Sequence, residues 1–128
     1  MTDIRFIFGD QLTRDLSALA DADPDRDVIL MAEVAQETAY VPHHKQKIAL
    51  ILSAMRHFAA SLEEEGLTID YLRLDDPSNP GTFTDVIKAA VDRHGAEKVI
   101  VTEPGEWRVY SMIGEWQEKL GVPVEVRP

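Results

Sequence analysis

Residues 28–34 read V-I-L-M-A-E-V, an almost unbroken apolar run. A strand with one wet face alternates apolar and polar side chains. A continuous run suits a strand buried on both faces, as in a parallel sheet with helices above and below. K-V-I-V-T at 98–102 reads the same way, and so does I-R-F-I-F at 4–8, which ends in Gly9-Asp10. Two further segments look less buried. I-D-Y-L-R-L at 69–74 carries Asp70 and Arg73, and P-V-E-V-R at 123–127 alternates and begins with Pro123, so both suit sheet edges.

Helical periodicity fills the gaps between these runs. His44, Ile48, Ile51, Met55, Phe58 and Leu62 lie on one stripe of a 3.6-residue period, predicting a helix from His44 to about Glu65 with Gly66 as its stop. Pro42 stands where a first-turn proline is tolerated. Thr82, with Asp85 three residues on, is a capping-box variant before V-I-K-A-A-V, and Gly95 closes that helix. A last helix starts near Gly105, carries Val109, Ile113, Trp116 and Leu120 on one side, and ends at Gly121. Its aromatic residues Trp107, Tyr110 and Trp116 either line this domain's core or pack on a following domain. Strands alternating with helices imply right-handed crossovers. The expected fold is therefore α/β, a Rossmann-like, doubly wound sheet of five parallel strands in the order 3-2-1-4-5. Ligands in such sheets sit at the carboxyl ends of the strands, near the reversal of strand order. That singles out G-D-Q-L after the first strand, A-E-V-A-Q-E-T-A-Y-V-P-H-H after the second and T-E-P-G-E-W-R after the fourth. The segment D-A-D-P-D-R-D at 21–27 reads as the most flexible, and D-D-P-S-N-P-G at 75–81 as a turn-rich loop.

Composition limits what those loops can do. The 128 residues suit one domain, residues 1–128, and can bury roughly two thirds of the unfolded surface. Apolar residues make up 45% and charged residues 28%, as in a soluble globular chain. With no cysteine, thiol catalysis, disulfides and iron–sulfur ligation are excluded for this segment. No apolar run approaches the ~18 residues of a membrane span, and M-T-D-I-R-F does not resemble a signal peptide, so a cytoplasmic location is expected. The net charge of −10 repels a phosphate backbone, so broad DNA binding by this segment alone is not expected.

Dinucleotide and P-loop sites need several glycines to bring backbone N–H groups onto phosphate. The first loop has one, followed by Asp10. The start of the long helix, with His43, His44, Lys45 and Lys47 at a positive helix end, is more permissive. A metal site is disfavoured because the rings of adjacent His43 and His44 diverge by about 100° on a helix. Ser53 lies mid-helix without a strand-to-helix elbow, and Thr102 reads as a hydrogen-bonding end to the sheet. Glu103 and Glu106 could do acid–base work, but acids at a helix start more often complement its dipole. A non-catalytic pocket fits better. Phe8, Tyr40, Ile48 and Ile51 offer an apolar wall, Asp10, Glu33, Glu37 and Glu103 offer acceptors, and Gln11 offers an amide. That set suits a neutral heteroaromatic ring bearing hydroxyl or N–H groups. Met55, by spacing alone, reads as plain helix core.

F-G-D-Q-L, Y-V-P-H-H-K-Q-K-I-A-L-I-L-S-A-M-R-H-F-A, Y-L-R-L-D-D-P and V-T-E-P-G-E-W-R together resemble the N-terminal domain of photolyase-related proteins. These are the iron–sulfur bacterial cryptochromes and (6-4) photolyases, and the resemblance extends over nearly the whole chain. It implies a domain that binds an antenna chromophore, 6,7-dimethyl-8-ribityllumazine, for light-dependent DNA repair or light sensing. It also implies a longer parent, whose C-terminal helical domain holds FAD and a 4Fe-4S cluster and binds DNA. The implied partner of this domain is that helical part, with no membrane involved. The implied antenna neighbourhood is Gly9, Asp10, Gln11, Glu33, Val34, Glu37, Tyr40, His43, His44, Ile51 and Glu103. No catalytic or metal-binding residue is implied within it. Y-V-P-H-H-K-Q-K then becomes the lid of the pocket, with Tyr40 and His44 flanking the ring and His43 and the lysines nearer solvent. Two other readings stay open: a stand-alone nucleotide-binding domain of the same fold, and an unliganded scaffold.

Overall fold

The computed structural model describes residues 2–9, 11–34, 45–105 and 107–128; of residues 45–48, 107 and 108 the backbone alone is described. Five strands, β1 (Asp3–Phe6), β2 (Val28–Ala32), β3 (Thr68–Leu72), β4 (Lys98–Thr102) and β5 (Val124–Arg127), form one sheet. Every pairing is parallel and the order is 3-2-1-4-5, as the burial pattern of the runs predicts. Phe6 lies beside Leu30 on one side and Val101 on the other, so the carboxyl ends of β1, β2 and β4 stand together.

Three helices cover the sheet: α1 (Lys45–Glu64), α2 (Phe83–His94) and α3 (Trp107–Leu120). Helices α2 and α3 lie over one face, whose core joins Ile4, Phe6, Leu30, Val99 and Val101 to Phe83, Ile87, Ile113 and Trp116. Phe8 stacks on Trp116 at 6.3 Å and meets Phe83 edge-on at 5.2 Å. Such pairs add about 0.5–1.5 kcal/mol to their burial. Trp116 is fully buried and donates its indole N–H to Thr84 Oγ1 at 2.9 Å, so it belongs to this domain's own core. Tyr110, two turns earlier, is 45% exposed, and the Trp107 side chain lies outside the described residues. On the other face α1 packs Met55, Ala59 and Leu62 against Ile29 and Met31, with Ile51 and Phe58 at its flank. Met55 is core, as its spacing suggests.

The element ends follow local hydrogen bonding. Thr82 caps α2 by accepting from the Asp85 N–H, and Gly95 closes it in the left-handed region at φ 61°. At the end of α1, Leu67 N–H donates to Leu62 O and Gly66 N–H to Glu63 O, the paired bonds of a Schellman stop. Gly66 has φ 97°, and a Cβ there would meet nothing within 4 Å. The demand for glycine is thus torsional, not spatial.

Four of the five strands are shorter than their runs, and β4 matches its own at 98–102. The run at 69–74 ends its ladder at Leu72 because Leu74 N–H turns away to a Glu33 carboxylate oxygen at 2.9 Å. The run at 28–34 ends its ladder at Ala32, although Glu33 N–H still reaches Leu72 O. The run at 4–8 leaves the sheet after Ile7 N–H reaches Leu30 O, and β1 begins one residue early, at Asp3. Pro123 cannot donate, yet its carbonyl accepts from Val99 N–H and leads into β5. The last helix begins at Trp107, two residues after Gly105.

The segment at 21–27, expected to be the most flexible, is exposed along most of its length but anchored at both ends, Asp21 and Asp27. The Arg5 side chain is 1% exposed on the α1 face of the sheet, where the 3-10 turn Ser17–Leu19 and the residues after it stand in place of an α-helix. Arg5 Nε donates to Asp27 Oδ2 at 3.0 Å, and Nη1 donates to Ala18 O at 2.9 Å and Asp21 Oδ1 at 2.6 Å. Arg127 on β5 donates to Ser17 O and to the same Asp21 carboxylate. Thr102 Oγ1 accepts from Ala18 N–H and bonds Ser17 Oγ. A string of acids that reads as a solvated loop is therefore pinned to β1 and β5, while Ser17 and Ala18 just before it are tied to β4.

Arg5→Met should cost about 3–5 kcal/mol in urea unfolding, because Asp27 loses its buried cation and keeps only the half-exposed Arg26 beside it. Asp27→Asn should cost less, since its side-chain oxygen can still accept from Asp23 N–H. Burial pushes the Asp27 carboxyl up, but hydrogen bonds from Asp23 N–H, Arg26 and Arg5 outweigh it and leave the group below the ordinary carboxylate range. A depressed folded value means the contribution is complete above the unfolded value of about 4 and is lost as pH falls through the folded one. Stability should hold from neutrality to about pH 5 and drop steeply below about pH 4. The drop should be shallower in Asp27→Asn, as unfolding midpoints along a pH series will read.

Candidate functional site

The first candidate region is the reversal of strand order between β1 and β4. Gln11 lies there, in the turn after β1. Its Oε1 accepts from Phe8 N–H at 3.3 Å, and its Nε2 donates to Thr102 O at 3.1 Å and Glu103 O at 3.4 Å. Both ends of the amide are thus engaged, and they tie the β1 exit to the β4 exit. Gly9 is partly buried beside it. The Glu103 N–H donates to Arg127 O at 2.7 Å, while its side chain is exposed. The arrangement ties the two strand exits together by protein hydrogen bonds and leaves an exposed acid beside them. Thr102 serves as the hydrogen-bonding end of β4.

The second region is the exit of β2. Glu33 is 1% exposed there. Arg56 on α1 donates to both carboxylate oxygens, Nε to Oε2 at 2.7 Å and Nη2 to Oε1 at 2.9 Å. Tyr71 on β3 donates its hydroxyl to Oε2 at 2.6 Å, and Leu74 N–H donates to Oε1. Asn79 Nδ2 donates to Glu33 O at 2.8 Å and to Arg73 O at 2.9 Å, fixing the turn-rich loop to the same corner. Burial pushes the Glu33 carboxyl up, yet Arg56, Tyr71 and Leu74 N–H together hold it below the ordinary range. The Tyr71 phenol is pushed well up by burial and by the adjacent carboxylate. A carboxylate held ionised in this way is a poor general acid.

Val34 and Ile51 lie on opposite faces of the sheet. Val34 is buried in the α2–α3 core, whereas Ile51 is half-buried against the α1 core. The structure therefore gathers Gly9, Gln11 and Glu103 at one exit and Glu33 and Val34 at the next, with Ile51 on the helix that follows. Asp10, Glu37, Tyr40, His43 and His44 lie outside the described residues. Arg56, Tyr71 and Asn79 are participants that sequence reading missed. A lone arginine beside the apolar stripe of α1 was the available signal, but nothing in its spacing names a partner. Among the described residues, no group of three or more His, Asp or Glu is placed to hold a metal ion, and no helix is long and apolar enough to cross a membrane.

Residues 5–128 match the model of the family described as deoxyribodipyrimidine photo-lyase-related protein. The chain is also 45% identical, over 127 residues, to a protein of Agrobacterium fabrum named (6-4) photolyase. The match takes in 99% of this chain and 25% of that protein, so the chain spans about a quarter of the length of this curated relative. With the parallel sheet and strand order already established, these matches place the chain in the family of photolyase-related proteins.

Proposed function

We propose that this domain binds a light-harvesting antenna chromophore of the 6,7-dimethyl-8-ribityllumazine type, on behalf of a photolyase or cryptochrome that repairs DNA or senses light. The observation that carries the proposal is the 45% identity across nearly the whole chain to a protein named (6-4) photolyase. The described side chains are compatible with a neutral ring. Glu103 is exposed at the β4 exit, Glu33 is held ionised at the β2 exit, and the Gln11 amide is already engaged. A polyphosphate would meet acids there and no run of glycines. Ile51, half-buried near the start of α1, offers an apolar wall. Asp10, Glu37, Tyr40, His43 and His44 are the proposed remainder of the pocket.

When bound, the lumazine would supply light absorption, and the residues around it would hold and orient the ring. FAD, a 4Fe-4S cluster and DNA contacts belong, on this reading, to a C-terminal helical part of a longer parent, which is the domain's proposed partner. The cysteine-free chain has no thiolate to ligate such a cluster. A cytoplasmic location goes with the same reading.

Reconstitution with the lumazine, followed by absorption and fluorescence polarisation, tests the proposal. Retention of the visible band by the 128-residue protein is expected. Stabilisation by ATP without a visible band would favour a nucleotide-binding domain instead. Ile51→Phe should exclude the chromophore while costing about 1–3 kcal/mol through overpacking against the α1 core. Full occupancy in a folded Ile51→Phe protein would remove Ile51 from the site.

A further inference from the structure

The acids at the carboxyl end of the sheet are not equivalent. Glu103 is exposed, whereas every polar atom of Glu33 already has a protein partner. Its N–H donates to Leu72 O at 2.9 Å, and its carbonyl accepts from Asn79. Its two carboxylate oxygens accept from Arg56 twice, from Tyr71 and from Leu74 N–H, at 2.6–2.9 Å. A ligand donor could reach this carboxylate only by displacing one of those bonds inside a site that excludes water.

The donors come from three different elements. Arg56 sits in the middle of α1, one residue after the core residue Met55, and Tyr71 lies on the edge strand β3. Leu74 is the second residue of the loop that follows β3. A single buried carboxylate therefore fixes the azimuth of α1, the end of β3 and the exit of β2 with respect to one another. Ile51 lies five residues before Arg56 on the same helix, so the clamp also sets where that side chain stands.

We infer that Glu33 is a positioning residue: by holding Arg56, Tyr71 and Leu74 N–H it sets the placement of α1 and of the β2 and β3 exits around the proposed chromophore site, and it makes no ligand contact of its own. The inference rests on the lumazine reading for its ligand. The clamp itself is read without one.

Glu33→Gln, Arg56→Gln, Tyr71→Phe and the Glu33→Gln/Arg56→Gln double variant test it in the 128-residue protein. In ligand-free protein, amide exchange at Leu74 should quicken about tenfold in Glu33→Gln, because a neutral amide clamps more weakly than a carboxylate. In lumazine titrations all three single variants should weaken binding, each by about tenfold, and the double variant should be no worse than the weaker single, as expected of one network. The absorption maximum of bound lumazine should stay at the wild-type wavelength in every variant. Asp27→Asn, on the other side of the same face, should lose stability without losing affinity, which separates positioning from general destabilisation. A shifted absorption maximum in Glu33→Gln alone, with Arg56→Gln and Tyr71→Phe binding normally, would make Glu33 a direct contact and overturn the inference. Wild-type affinity in Glu33→Gln would overturn it too. Failure of the wild-type protein to bind lumazine would overturn the proposed function instead. Leu74 exchange then decides the clamp: unchanged protection in Glu33→Gln refutes it, and lost protection supports it.

Discussion

A guanidinium buried in the middle of a central strand has to be answered on all sides. Arg5 meets that demand by drawing Ala18 O, Asp21 and Asp27 onto a face of the sheet where, among the described residues, the short 3-10 turn Ser17–Leu19 and not an α-helix lies against β1 and β4. A buried charge without partners would cost several kcal/mol. The path of the chain from the end of β1 to the start of β2 is therefore dictated by where those acceptors must stand. The same Asp21 also receives Arg127, so the edge strand β5 is anchored through the answer to Arg5. The covering of one half of the molecule descends from a single cation.

The other end of the sheet obeys the same logic with the sign reversed. Glu33 is a buried anion at the β2 exit, and α1, β3 and the loop after it converge on it. Helix α1 thus has two attachments of different kinds. Its apolar stripe sets its distance from the sheet, and the Arg56–Glu33 pair sets its rotation. Hydrophobic contact is tolerant of small rotations, whereas a bidentate guanidinium–carboxylate pair is not. The opposite face, built from Phe6, Phe8, Phe83 and Trp116, relies on aromatic packing instead.

Strand order was legible because burial differs between central and edge strands. V-I-L-M-A and K-V-I-V-T carry no polar residue at their centres, while I-D-Y-L and V-E-V-R do. Strand ends were less legible, because they depend on bonds such as Leu74 N–H to Glu33 that cross 41 residues. Arg5 could be placed in a buried strand from I-R-F-I-F, but its acceptors fell in an acid-rich stretch whose composition says solvent. Topology alone singled out the loops that carry Gly9, Gln11 and Glu103, while Gly9 entered the antenna neighbourhood only through the family resemblance. The role of Glu33 was not legible, since Arg56 and Tyr71 lie 23 and 38 residues away and no periodicity links them. Local patterns report which face a residue occupies, and they are silent on which distant partner waits there.

Because β1 is the middle strand, the strand of this sheet that comes first in chain order is among the last to be completed. Its ladder needs β2, available early, and β4, which arrives only with residues 98–102. Until then one whole edge of β1 stays unpaired, and Phe6 and Phe8 lack the indole of Trp116. Non-local parallel pairing of this kind slows folding, because loop closure precedes the contacts that reward it. An early unit of β1, β2, α1 and β3 can assemble around Arg5 and Glu33, since their nearest partners all lie within the first 74 residues. The two buried charges, expensive in a finished core, thereby give the nascent half of the sheet a register before its second half exists.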